Sequence, residues 1–248
     1  MNSSDPDLRQ SSLTSPDSAL STQPSALKLG LLGGSFNPIH NGHLGLAAHV
    51  LDKLQLDRVL FIPTGDPPHK RDGSLAPAKH RYEMIQLAIA DTPAFSLSDI
   101  EIRRIGKSYT IDTVRTLRHQ FGSSSELYFL VGLDAFLDVP NWKDPLELLR
   151  LCRFVVVPRP GQSFQSLATM PLLPIRDPQA LVQLDTGELL RLEIADPLCR
   201  GIICLPIPPC STSSSDIRQR IRNGTALANL LPPLVESYIL QHRLYQED

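Results

Sequence analysis

From Lys28 onward the chain alternates short apolar runs with longer amphipathic stretches, and few folds accept that pattern. The apolar runs predict strands at 28–32, 58–63, 95–102, 126–131, 153–157 and 201–205. The stretches between and after them predict helices at 42–53, 78–90, 110–120, 134–138, 145–149, 215–222 and 232–243. Several boundaries have a mechanism: Pro77 stands near a helix start, Gly122 follows a helix end, and Pro232-Pro233 pre-set a first turn. Strands separated by helices pair in parallel, with the helices covering both faces. The expected fold class is therefore α/β, a doubly wound, mostly parallel sheet. Ligands of such sheets bind at the carboxyl ends of the strands, where the strand order reverses.

Two segments depart from the alternation. Residues 1–27 hold eight Ser and three Pro with almost no large apolar side chains. Such a stretch buries too little surface to offset its ordering entropy and reads as a disordered tail. Nine of the 22 prolines fall in 158–209, which argues against long regular elements there. That region reads as a lid or, preferably, an inert surface elaboration, at about 161–200 on a single domain covering 28–248.

Composition removes several function classes. The 248 residues carry 24 Lys+Arg against 26 Asp+Glu, a balance unlike the domain pI above about 9 of proteins that grip nucleic acid through a broad basic face. No apolar run approaches the roughly 18–20 residues of a membrane span, and the N-terminus lacks a secretory signal pattern. The four cysteines, Cys152, Cys199, Cys204 and Cys210, form no C-x-x-C pair and have no His nearby in sequence, so free thiols in a reducing cytoplasm are expected. The expected partners are small molecules, with no nucleic acid and no membrane; a homo-oligomer is compatible with all of this.

The chemistry concentrates after the first strand, in Gly33-Gly34-Ser35-Phe36-Asn37-Pro38-Ile39-His40-Asn41-Gly42-His43. A strand, a glycine-rich turn and a helix N-terminus make an anion site. The glycines let backbone approach a phosphate, and the first helical N–H groups and the helix dipole face it. The run is neither G-x-G-x-x-G nor a Walker loop. It offers instead His40 and His43, three apart, on one side of the first helical turn. A Gly-Gly pair alone is usually a tight turn, and H-x-x-H also suits a metal, but no third ligand is evident at suitable spacing. A second signal, Ser213-Ser214-Ser215-Asp216-Ile217-Arg218, opens a helix after another strand with hydroxyl caps and a guanidinium. Alone it is a commonplace helix start; paired with the first, it suits the far end of a polyphosphate.

Together these two motifs resemble those of the H-x-G-H nucleotidylyltransferase superfamily, and three internal segments narrow the resemblance to bacterial nicotinate-mononucleotide adenylyltransferases. They are Pro67-Pro68-His69-Lys70, Ser108-Tyr109-Thr110-Ile111-Asp112-Thr113, and Gly132-Leu133-Asp134 with Trp142 following. The tail from Leu231-Pro232-Pro233 to Tyr245 fits as well. Ser35, Asn37 and Ser215 stand where Thr, Asp and Thr are frequent in that family, and 161–200 is longer than its norm.

The resemblance implies a Rossmann-like nucleotidylyltransferase fold and transfer of the adenylyl group of ATP to nicotinate mononucleotide, with Mg²⁺, giving deamido-NAD and pyrophosphate. It implies His40, His43, Lys70 and Arg218 as the catalytic donors. Gly33, Gly34, Ser35, Phe36, Gly132, Asp134, Ser214, Ser215 and Ile217 would bind ATP, and Tyr109, Thr110 and Trp142 the acceptor. No residue is assigned to a metal. Nicotinamide mononucleotide or phosphopantetheine as acceptor, and a non-catalytic adenine-nucleotide sensor, remain the competing readings.

Overall fold

A computed structural model of the chain describes residues 26–66, 75–173, 175–197, 199–210 and 212–246. The expected tail therefore lies outside the described residues up to position 25. Leu27 belongs to the fold, because its carbonyl accepts the Glu126 N–H at 2.7 Å.

Seven strands form one sheet in the order β3-β2-β1-β4-β5-β7-β6. They are β1 (Lys28–Gly34), β2 (Arg58–Pro63), β3 (Phe95–Leu97), β4 (Glu126–Gly132), β5 (Arg153–Val157), β6 (Leu192–Ile194) and β7 (Ile202–Cys204). All neighbours are parallel except β6, which runs antiparallel to β7 at one edge. The helices are α1 (Asn41–Lys53), α2 (Ala78–Ile89), α3 (Thr110–Phe121), α4 (Leu133–Leu137), α5 (Pro145–Leu151), α6 (Pro178–Thr186), α7 (Ser214–Arg222) and α8 (Pro233–Gln241).

The central strands are apolar on both sides, and their two-residue period splits the core in two. Leu29, Leu31, Leu127, Phe129, Val131, Phe154 and Val156 face one layer, with Ile111, Val114 and Leu117 of α3. Leu32, Tyr128, Leu130, Val155 and Val157 face the other, with Ala47 and Val50 of α1, Ile217 of α7 and Val235 and Ile239 of α8. Gly30 has no such side chain because a Cβ there would stand 3.0 Å from Leu56 and 3.1 Å from Val59. The order of strands reverses between β1 and β4, so the loops leaving their carboxyl ends flank one crevice. Those loops carry Gly33-Gly34-Ser35 and Gly132-Leu133-Asp134.

Two expectations are corrected. The third strand stops at Leu97 instead of continuing to 102, because the chain turns there. The Ser98 N–H still reaches Phe61 O at 2.9 Å, after which Arg103 N–H closes on Asp99 O at 2.9 Å. The Pro-rich region is not an inert elaboration. It supplies the nine-residue α6 and edge strand β6, and Phe164, Leu167, Met170, Leu181 and Leu184 pack into the first core layer. The prolines allow this because Pro178 occupies the first turn of α6, where no N–H is needed, and Asp177 caps the N–H groups of Gln179 and Ala180. Leu181→Ala is expected to lower unfolding free energy by about 2–5 kcal/mol in urea denaturation, the cost of a cavity in a packed core; a change near zero would restore the inert reading.

Candidate active site

The cradle after β1 is held by buried hydrogen bonds. The Arg81 guanidinium, itself only 2% exposed, donates to Ser35 O (2.8 Å), Thr64 O (2.7 Å) and Ala76 O (3.0 Å). One side chain of α2 thus ties the glycine-rich turn to the segment after β2. Asn37 Oδ1 accepts the Ala76 N–H and the Tyr245 hydroxyl, both at 2.9 Å, so the C-terminal tail closes on the same loop. Phe36 adopts a left-handed φ of 44° and sends its ring into the core, edge-on to His43 with ring centroids 5.0 Å apart. Its side chain packs against His43 in the core.

The two histidines lie together at the start of α1, their ring centroids 3.7 Å apart and stacked. His43 Nδ1 accepts the His40 N–H at 3.3 Å, so the neutral ring carries its proton on Nε2. Burial, with the nearby Arg159 charge, lowers the His40 pKa to about 4. Burial, the neighbouring His40 and Arg159 hold His43 well below its usual value. At neutral pH the pair is therefore uncharged and able to donate without titrating. His40 Nδ1 is buried with no hydrogen-bond partner, a group that calls for a ligand.

The second motif docks onto this loop. Arg218 Nη1 donates to Asn37 O at 2.8 Å, its Nη2 lies 3.4 Å from Ser215 Oγ, and Ser214 Oγ donates to Pro38 O at 2.9 Å. Ser213 caps α7 by accepting the Asp216 N–H. Ile217, expected among the ATP contacts, is fully buried with its N–H on Ser213 O, so its place is to seat α7 in the core. Across the crevice, the Asp134 carboxylate folds back over Gly132, where a Cβ would stand 2.7 Å from Asp134 Oδ1. Lys70 lies outside the described residues, as do Pro67, Pro68 and His69.

Tyr109, Thr110 and Trp142 gather at a neighbouring patch. Tyr109 is the N-cap residue of α3 and no side chain caps that helix start. Trp142 is half-buried and stands edge-on to Phe129 of β4, with centroids 6.2 Å apart. Lys143, next to Trp142 in the chain, lies over Tyr109, its Nζ 4.7 Å from the ring centre, and pairs with Asp112 Oδ2 at 3.0 Å. Behind them Thr113 Oγ1 donates to Glu101 Oε1 and accepts from Arg104, both at 2.8 Å. Gly65 lies so close to Glu101 O that a Cβ would come within 2.0 Å, so only glycine fits.

Three residues of this region were not anticipated. Arg159 follows β5, pairs with Asp134 at 3.5 Å, and is the charge felt by both histidines. Its position just past a parallel strand was the available signal. Arg81 had none, since a buried arginine reads like any surface helix residue. Lys143 was legible only as the neighbour of Trp142. Among the described residues no group of three or more His, Cys, Asp or Glu could hold a metal ion, and no helix is long and apolar enough to cross a membrane.

A cytidylyltransferase-like family model matches residues 31–220. A protein of Dehalococcoides mccartyi named as a nicotinate-nucleotide adenylyltransferase is 41% identical over 220 residues, covering 89% of this chain and 98% of its own. One of the same name from Geotalea uraniireducens is 40% identical over 221 residues, covering 89% and 99%. The fold is also that of Plasmodium falciparum nicotinic acid mononucleotide adenylyltransferase complexed with NaAD, with a TM-score of 0.64 at 18% identity over 89% of this chain and 98% of that one.

The histidine pair sets a pH dependence. An unfolded His40 takes up a proton below about pH 6.5, while the folded one stays neutral down to about pH 4. Folding stability is therefore expected to fall as pH drops through that window, by up to about 3 kcal/mol from His40 alone. Urea denaturation of wild type and His40→Asn at pH 7 and pH 4.5 checks this; the variant should lose less, and equal losses would contradict it.

Proposed function

Because the chain belongs to the cytidylyltransferase-like family, and within it to the nicotinate-nucleotide adenylyltransferases, we propose that it transfers the adenylyl group of ATP to nicotinate mononucleotide, releasing pyrophosphate and forming deamido-NAD. The observation that carries the proposal is the meeting of two helix starts at the reversal of strand order. Arg218 and Ser214 of α7 bond the backbone of Asn37 and Pro38 directly ahead of His40 and α1. Two positive helix ends, two neutral imidazole donors and a guanidinium around one crevice suit a triphosphate.

The reaction asks little covalent chemistry of the protein. The mononucleotide phosphate is already an anionic nucleophile at neutral pH, so no side chain need deprotonate it. It attacks the α-phosphorus of ATP in line, and pyrophosphate leaves from the opposite side. The site must align the two and stabilise the charge that grows on the transferring phosphoryl oxygens and the leaving group. In this reading His43 donates through Nε2–H, His40 fills its unpartnered Nδ1 on the bound nucleotide, and Arg218 with Ser214 and Ser215 holds the outer phosphates. Gly33, Gly34 and Ser35 bring backbone close, and Gly132 and Asp134 lie along the nucleotide sugar. Arg159, paired with Asp134 at 3.5 Å and close enough to act on both histidines, adds a further cation for the phosphates. Lys70 is assigned to the phosphates on the motif alone.

Mg²⁺ fits as an ion carried in on the triphosphate, since it commonly keeps its waters and substrate phosphates and the described residues offer no dedicated carboxylate cage. Bound there, it would offset phosphate charge. For the acceptor, the exposed part of Trp142 offers a stacking surface for a pyridine ring. The uncapped start of α3 at Tyr109 and Thr110 offers N–H groups and a positive dipole end to the nicotinate carboxylate. Lys143 beside them adds a cation, which favours the acid over the amide.

The direct test is pyrophosphate release from ATP and Mg²⁺ with nicotinate or nicotinamide mononucleotide supplied separately; the acid should be much the better acceptor, and equal rates would contradict the assignment. His43→Ala should lower kcat by about 10²-fold or more, and unchanged turnover would remove it from catalysis. Trp142→Ala should raise KM for the mononucleotide while sparing KM for ATP. Lys143→Met should lower kcat/KM for the acid more than for the amide, and loss of both in equal measure would make Lys143 structural.

A further inference from the structure

The amino ends of the strands carry a second group of cations, far from the nucleotide crevice. Arg118 in the last turn of α3, Arg153 at the start of β5 and Arg200 ahead of β7 line one cleft with Glu126 and Leu127 of β4. β4 is seven residues long, so about 20 Å of strand separates this cleft from Gly132 at the nucleotide end. Carbonyls fix two of the guanidiniums. Arg118 donates to Ser125 O and Leu151 O, both at 2.6 Å, and Arg200 Nε donates to Arg150 O at 3.2 Å, so the two cap the end of α5. Capping leaves donors over. Arg118 Nε is buried with no hydrogen-bond partner, and Arg153 lies against the Tyr128 ring, 5.9 Å from its centre. Among the described residues none of the three guanidiniums forms an ion pair. The carboxylate lining the cleft is Glu126, whose Oε2 accepts the Tyr128 hydroxyl at 2.5 Å. Three cations against one carboxylate leave an excess of positive charge, and Arg118 registers it: burial and the Arg200 charge both lower its pKa. Arg153 and Arg200 also border an adjoining cavity of about 160 Å³, bounded by Glu193, Asp196 and Cys199, which has room for an ion and its waters.

We propose that this cleft is an anion site, separate from the nucleotide crevice, that takes inorganic phosphate between Arg153 and Arg200 with Arg118 beside them. A tetrahedral dianion brings the counter-charge that the three cations lack, and it matches the forked geometry of a guanidinium. Arg118 and Arg200 are already held by carbonyls, so they lose little freedom on binding it. The surrounding carboxylates limit the size of the ligand. Glu126 on one side, with Glu193 and Asp196 on the other, would repel a longer polyanion, whereas a single phosphate can stay among the arginines. Glu193 is itself paired with Arg191, which tempers its charge.

Equilibrium dialysis of radiolabelled inorganic phosphate tests this on the full chain, at constant low ionic strength and with a non-hydrolysable ATP analogue saturating the nucleotide crevice. Binding should be saturable at one phosphate per chain. Arg153→Gln and Arg200→Gln should each weaken it by about tenfold or more, the cost of losing a charged hydrogen-bond donor. Glu126→Gln should tighten it, because the substitution removes the carboxylate that faces the ion. Each variant should bind the ATP analogue as the wild type does, which shows that it folds and that the nucleotide crevice is untouched. Absence of saturable phosphate binding, or binding undiminished in both arginine variants, overturns the inference. Phosphate bound only when the analogue is left out places the ion in the nucleotide crevice and overturns it as well.

Discussion

The geometry of the crevice depends on one buried cation. Arg81 places its guanidinium among three backbone carbonyls from three separate segments, those of Ser35, Thr64 and Ala76. A buried charge is costly unless its hydrogen bonds are made, and the planar, forked guanidinium makes all three where a lysine ammonium lacks that fixed fork. No carboxylate appears among those partners, so its positive charge is met by carbonyl dipoles. The glycine-rich turn is thereby locked to the chain leaving β2, and every donor of the cradle inherits its position from that lock. Asn37, held by Ala76, Tyr245 and Arg218 at once, is where the N-terminal motif, α7 and the C-terminal tail are joined.

That arrangement explains why the site has neutral imidazoles. Charged histidines would attract phosphate more strongly, but they would also repel each other at a 3.7 Å ring separation and alongside Arg159. Burial removes the conflict by keeping both rings uncharged, and the His40 N–H bond to His43 Nδ1 fixes which nitrogen carries the proton. The fixed positive charge comes instead from guanidinium groups and helix ends, which do not titrate near neutral pH. Donors preset in this way need no reorganisation when charge develops on the transferring group.

Much of this was legible in the sequence because periodicity and turn chemistry are local. The four longer strands, β1, β2, β4 and β5, and the helices at both motifs, fall within a few residues of their expected places, since apolar runs that stop at glycine or proline leave few options. The Pro-rich region was misread because proline content speaks against helix interiors but not against a first turn, where Pro178 sits. Phe36 and Ile217 lie within binding motifs yet point into the core; a motif string does not say which way a side chain faces. Arg159 and Lys143 joined the site through the sheet's topology, which sets β4 beside β1 and β5 beside β4. Arg81 could be found only from its burial.

The central claim is that donors alone align two phosphates, with no covalent enzyme intermediate. The stereochemical course at the α-phosphorus tests it most directly, using ATP made chiral at that centre and recovering the dinucleotide product. A single in-line displacement predicts inversion of configuration. Retention would require two successive displacements through an adenylylated side chain, and would contradict the account.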